Sequence, residues 1–252
     1  MTRIDRRALF ASGAAAALLA ATGVSAAPQR GGRLRAALSP ELFDMAVRAT
    51  VHDTLTEIAA DGTLRAALAT DWTADDSARC WDLTLREGVI LHDGTTFGAS
   101  ALDLPFEIEV TGPNRVAVHL RAPDASLPFR LASPEYSVAL AGLYAAQKLD
   151  EGRHFIGTRV KDHWRTDAGW FDSVEYVQFS DPNVRAEALR DGYVDVADVA
   201  DLGPQANTRD FQPLPTGHVP LQIASRAVAV PLTVGKAWPL DNLRMAERWW
   251  MA

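Results

Sequence analysis

From Leu55 to Phe97 the chain reads LTEIAADGTL RAALATDWTA DDSARCWDLT LREGVILHDG TTF. Its centre alternates: Trp81, Leu83 and Leu85 point one way and Cys80, Asp82, Thr84 and Arg86 the other, which is the period of a half-buried strand. Asp61-Gly62, Gly88 and Asp93-Gly94 punctuate it with turns. Downstream, Phe106, Ile108 and Val110, the turn Thr111-Gly112-Pro113-Asn114, then Val116, Val118 and Leu120 give the strongest hairpin signal in the chain, around residues 106–120. Pro123 and Pro128 close it into a loop. Upstream, Leu42, Met45, Ala46, Ala49, Val51, Leu55 and Ile58 recur mostly at helical spacing, so a helix is expected from Glu41 to the turn at Asp61-Gly62.

Before that helix, Arg33 to Leu38 reads as an edge or first strand, stopped by Ser39-Pro40. Near the far end, Val174 to Phe179 reads as a strand and Asp181-Pro182-Asn183 as a helix cap with proline just inside the start. A short helix from Val184 to Arg190 then stops at Asp191-Gly192, and Val194 and Val196 begin another strand. Residues 207–220, rich in Pro, Gly and Asn, read as loop; Leu221 to Ala229 read as a strand and Leu243 to Trp250 as a helical tail. Strands and helices alternate without internal repeats, which implies a mixed α/β fold.

The 252 residues carry 48% hydrophobic and 23% charged side chains, enough for a sizeable core. A formal charge of −7, with only Lys148, Lys161 and Lys236 as lysines and no basic run beyond the N-terminus, excludes a phosphate-tracking surface and hence nucleic acid as a partner. Residues 1–26 differ from the rest: Arg3, Arg6 and Arg7 form a basic head, Ala8 to Ala21 is almost wholly apolar, and Val24-Ser25-Ala26 is a small-residue cleavage site. They read as an export signal cleaved after Ala26. Arg6-Arg7 before Ala8-Leu9-Phe10 resembles a twin-arginine motif, with Asp5 where Ser or Thr is usual, so both twin-arginine and general secretory export fit. Cleavage removes three arginines and Asp5, leaving 22 basic and 31 acidic residues and a charge of −9. Residues 27–252 are expected to form one soluble, periplasmic lobe.

Motifs that would name an enzyme (G-x-S-x-G, S-x-x-K, H-E-x-x-H, G-x-G-x-x-G and the P-loop) are missing. The six histidines, His52, His92, His119, His154, His163 and His218, are scattered, with none at the i, i+4 spacing that puts two imidazoles on one metal. In His52-Asp53 and His92-Asp93 the neighbours are expected to point apart. Asp195, Asp198 and Asp201 form an acidic series that lacks the Gly and distal Glu of a calcium loop and reads as solvated carboxylates at a strand end. Cys80, the single cysteine, reads as a small buried hydrophobe rather than a reactive thiol. Of the seven tryptophans (Trp72, Trp81, Trp164, Trp170, Trp238, Trp249 and Trp250) most read as core, while Trp249 and Trp250 cannot both face inward on one helix. These residues give no catalytic group, no metal ligand and no cofactor; any ligand-binding residues stay unassigned.

The order and spacing of Leu55-Thr56-Glu57-Ile58, Asp61-Gly62-Thr63-Leu64, Ala67-Leu68-Ala69-Thr70-Asp71-Trp72, Trp81, Leu85-Arg86-Glu87-Gly88-Val89 and His92-Asp93-Gly94-Thr95 resemble the family 5 extracellular solute-binding proteins, the oligopeptide and dipeptide receptors of bacterial ABC importers. Arg33-Leu34-Arg35 resembles the family's first strand, Val116 to Leu120 its hairpin, and Asp181 to Asp198 its strand–helix–strand return. The resemblance implies a periplasmic-binding-protein-like type II lobe, with the second lobe missing and a helical portion before the hairpin shortened. It transfers no binding residue, because the contacts to a peptide resemble a set drawn largely from the missing lobe.

The function this implies is the periplasmic solute-binding component of a peptide-type ABC importer, reduced in length, with a peptide or other small solute and an ABC permease as partners. The competing reading is a periplasmic accessory or assembly subunit that uses the lobe for contact with another periplasmic protein and transports nothing. An enzyme is the third and least supported reading.

Overall fold

A computed structural model describes residues 30–59, 62–166, 168–204, 206, 210–214 and 220–224. The export signal with Arg6, Arg7 and Ala26, the tail from Leu243 to Trp250, and Trp238 and His218 lie outside the described residues.

The chain opens with β1 (Arg33–Leu38) and α1 (Pro40–Val51). There follow β2 (Thr56–Ile58), β3 (Leu64–Ala66), β4 (Ala69–Ala74), β5 (Cys80–Leu85), β6 (Glu107–Gly112), β7 (Arg115–His119) and the single-turn α2 (Leu127–Arg130). The return comprises β8 (Tyr144–Asp150), β9 (His154–Arg159), β10 (Ser173–Gln178), α3 (Pro182–Arg190), β11 (Val196–Asp198), β12 (Phe211–Leu214) and β13 (Leu221–Ala224). The fold is mixed α/β, as expected.

One seven-stranded sheet has the order β12-β13-β11-β1-β10-β9-β8. The first strand is thus also the middle one, not an edge, and it runs parallel to both neighbours, with Leu34 opposite Val174 and Ala36 opposite Val196. Burial on both faces explains its apolar run from Ala36 to Leu38. Leu34, Ala36 and Leu38 join Leu42 and Phe43 of α1 and Phe155, Val174 and Tyr176 in one core. Ala37 and Ala197 face the other way, against Ala186 and Leu189 of α3. The two helices therefore cover opposite faces.

The residues between α1 and β8 form a second module, in which β4-β5-β7-β6 make an antiparallel sheet and β2 pairs with β3. The expected alternation holds: Trp81, Leu83 and Leu85 are buried with Val116, Val118, Leu127 and Leu131. The hairpin of β6 and β7 sits where its turn places it. Cys80 corrects its reading as a buried hydrophobe, since it lies half exposed on the outer face. Desolvation first, then the carboxylates of Asp82, Asp75 and Glu109, push its thiol above the ordinary range, so it stays protonated and unreactive.

Two further expectations fail for tertiary reasons. The first helix stops at Val51 because Gly142 N–H donates to Val51 O (2.9 Å), taking the carbonyl that a longer helix would offer to Leu55. Asp53 and Val138 then exchange backbone bonds, so Leu55 enters the second core and Ile58 lies exposed on β2. Residues 211–214 are strand rather than loop: β12 pairs antiparallel with β13 at the sheet edge, the position where Pro213 needs no N–H.

Candidate functional site

In an open α/β sheet, ligands meet the carboxyl ends of parallel strands where successive connections leave for opposite faces. β1 feeds α1 on one face and β10 feeds α3 on the other, so the switch point lies at Leu38-Ser39 and Phe179-Ser180. Phe179 N–H donates to Leu38 O (2.9 Å), tying the two ends together. Asp198, ending β11, closes the third side: its Oδ2 accepts from Ser39 N–H at 2.9 Å, and its Oδ1 lies 3.2 Å from Arg185 Nη2.

Arg185 and Asp198 are each only 6% exposed. The arginine spends its other donors on the chain, Nε on Asp198 O (3.0 Å) and Nη1 on Ser180 O (3.1 Å). These groups build the rim and are not free to hold a ligand. Ser39, whose side chain caps nothing in α1, half-buried Phe179 and exposed Ser180 stand at the mouth.

The acidic series is corrected here. Asp195 is not solvated; it is buried and bound bidentately by Arg35, Nε to Oδ2 at 3.1 Å and Nη2 to Oδ1 at 3.0 Å. That bond raises the Arg35 guanidinium above its usual range. Only Asp201 is exposed, accepting from Gly203 N–H (2.8 Å). Among the described residues no three metal-ligating side chains converge.

The histidines, scattered in sequence, are partly gathered in space. His92 Nε2 donates to Gly142 O (2.7 Å) and His163 Nε2 to Ala141 O (2.9 Å), both on the segment that carries the chain from the second module back to β8. His52 Nδ1 lies 3.3 Å from Ser137 Oγ while Asp53 pairs with Arg165, so these sequence neighbours do diverge. His119 faces Glu109, and His154 lies between Lys148 and Glu175.

Sequence reading missed Arg165. It forks onto Asp53, Nη2 to Oδ1 at 2.9 Å and Nε to Oδ2 at 3.2 Å, and pairs with Glu57 as well. Burial works against its charge, yet Asp53 and Glu57 outweigh burial and hold the guanidinium above its usual range. Trp164 beside it is clasped between two cations, with Arg86 4.1 Å and Arg165 4.5 Å from the ring centroid. Only the adjacency Trp164-Arg165 could have signalled this; its partners are more than a hundred residues away.

Several concavities lie elsewhere, two of them rich in charged side chains. A pocket of about 210 Å³ between the modules is lined by Ala49, His52, Asp53, Glu57, Ser137 and Arg165, whose charges already pair. A wider groove of about 780 Å³ runs past Phe106, His119, Arg121 and Asp124, where Arg130 bonds Asp124 and Tyr136. Neither reaches the strand ends, and topology outweighs size in placing the site.

No protein-family model and no curated protein matches the chain. Solved structures do. The periplasmic binding protein AgaA of A. tumefaciens R10, in complex with agropinic acid, superposes with a TM-score of 0.59 at 22% identity, over 66% of this chain and 44% of its own. DppA of Helicobacter pylori, with the peptide STSA, gives 0.59 at 16%, over 68% and 47%. NikA of Staphylococcus aureus, with Ni(L-His)2, gives 0.61 at 15%, over 72% and 47%. The chain spans less than half the length of each. Its fold is that of part of a periplasmic substrate-binding protein of ABC transporters.

Proposed function

We propose that this protein is an exported solute-binding component of a peptide-type ABC importer, meeting its solute at the mouth formed by the ends of β1, β10 and β11. The observation that carries the reading is the switch point: a central parallel trio whose flanking helices leave for opposite faces, in a fold shared with solved substrate-binding proteins. Agropinic acid, a peptide and Ni(L-His)2 occupy the three neighbours named above, and a small polar solute with amino-acid character is the common denominator proposed here. The half-buried Ser39 and the exposed Ser180, at the ends of the two strands, are the hydroxyl side chains such a solute would meet there. Residues 1–26, read as a signal with Arg6 and Arg7 and cleavage after Ala26, deliver the chain to the periplasm. No helix among the described residues is long and apolar enough to cross a membrane. The role is binding and hand-over to a permease, with no chemical step.

Native mass spectrometry of the protein isolated gently from periplasmic extract tests this. The expected result is the mass of Ala27 to Ala252 carrying a peptide-sized adduct that is lost on denaturation and on Ser39→Trp. A protein with no adduct, found instead in stoichiometric complex with another polypeptide, overturns it.

A further inference from the structure

The joint between the two modules is locked through an imidazole whose protonation state the geometry dictates. The segment from Leu140 to Gly142 carries the chain out of the second module, and its backbone is held from three sides. Gly142 N–H goes to Val51 O (2.9 Å), Leu140 O accepts from His92 N–H (2.8 Å), and the imidazoles of His92 and His163 take Gly142 O and Ala141 O. His163 does two things at once: Nε2–H donates to Ala141 O at 2.9 Å, while Nδ1 accepts from the backbone N–H of Arg165 at 3.1 Å. Only the neutral ring protonated at Nε2 satisfies both partners. A proton added at Nδ1 points at a donor, so the turn from His163 to Arg165 must open, and that turn aims the Arg165 guanidinium at Asp53 and Glu57.

The groups around the ring set the balance. The hydrogen bond to Ala141 O, and after it the Asp53 carboxylate, favour an imidazolium, and Glu57 stands behind Asp53 on the same arginine. Against it stand burial first, then Arg165 and His92 from the neighbouring loop; Arg86 lies over the adjoining Trp164 ring, 4.1 Å from its centroid. His52 at the end of α1 faces Arg48 and His92. His92 Nδ1 is buried with no hydrogen-bond partner, so charge cannot be passed to it at no cost. One carboxylate pair, already matched by Arg165, faces several cations and imidazoles.

We propose that His163 is an acid-sensitive latch: neutral, it fastens residues 160–166 to the 139–143 crossing and aims Arg165 at Asp53 and Glu57; protonated, it frees the second module to move against the seven-stranded sheet. The inference does not depend on which solute is bound.

Hydrogen exchange on the intact mature protein, corrected for intrinsic rates, tests it. Protection of the amides of Arg165, Val160 and Gly142 is expected to drop about tenfold or more between about pH 7.5 and about pH 5, while β1 and β10 amides keep theirs. His163→Gln, whose amide can donate to Ala141 and accept from Arg165 without titrating, is expected to abolish that dependence. Unchanged protection in the wild type, or a drop that persists in H163Q, overturns the proposal. Should H163Q not fold, the ring ¹⁵N spectrum of the wild type decides: a His163 ring protonated at Nδ1 at neutral pH overturns it equally.

Discussion

Arg165 and Arg185 show what a buried arginine does when it is matched. Arg165 satisfies its planar fork with two carboxylates and Arg185 with a carboxylate and backbone oxygens, so each acts as a bolt. Removing a bolt leaves its partners charged and dry. Arg165→Met, stranding Asp53 and Glu57, is expected to lower unfolding free energy by about 3–5 kcal/mol in urea titration. The sign for acid follows from the imidazoles. Burial is the main cause holding His163 and His52 below the ordinary histidine range, so the unfolded chain binds protons that the folded one refuses. Thermal midpoints are therefore expected to be flat above about pH 6.5 and to fall as the pH drops below it, whereas a protein stabilised by histidine cations would gain there. None of this was legible in sequence. Arg165 meets Asp53 across 112 positions, and the reading of Asp195 and Asp198 as solvated failed because Arg35 and Arg185 come from other elements.

Where an element's course depends on its own residues, the reading held. Trp81, Leu83 and Leu85 bury as their alternation requires. Asp181 caps α3 as its position before Pro182-Asn183 requires, its Oδ1 accepting from Asn183 N–H at 2.8 Å. Where a distant backbone intervenes, it failed. The first helix is cut short by Gly142, and β12 exists because β13 supplies its partner. Two glycines separate these cases experimentally. A Cβ on Gly142 would stand 2.3 Å from Thr50 O, so Gly142→Ala is expected to cost at least about 3 kcal/mol. Gly88 has φ +73° but open space around it, so Gly88→Ala is expected to cost only about 1 kcal/mol. Denaturant midpoints of the two variants measure the contrast.

Across the whole molecule, the switch point was legible only once strand order was known, because no local pattern tells that β1 lies between β10 and β11. The periodicities identified the strands without ranking them. The two modules have separate cores, and Leu83 sits fully buried in the second. Leu83→Ala is expected to cost about 2–5 kcal/mol and to lower exchange protection in β5 and β7 while β1 and β10 retain theirs. Equal loss in both sheets would mean that the modules unfold as one.

The pairing of β1 with β10 and β11 also dictates an order of events on the ribosome. Arg33 finds Ser173 140 positions later, and Ala36 finds Val196 later still. The second module, wholly encoded between them, can condense while its host sheet has no centre. The large sheet must wait until nearly two hundred residues have emerged, and a nascent chain carries its middle strand unpaired until Ser173 to Gln178 have followed it. An exposed, apolar Ala36-Ala37-Leu38 during that interval is a natural handhold for a chaperone, and any delay late in translation would lengthen its exposure.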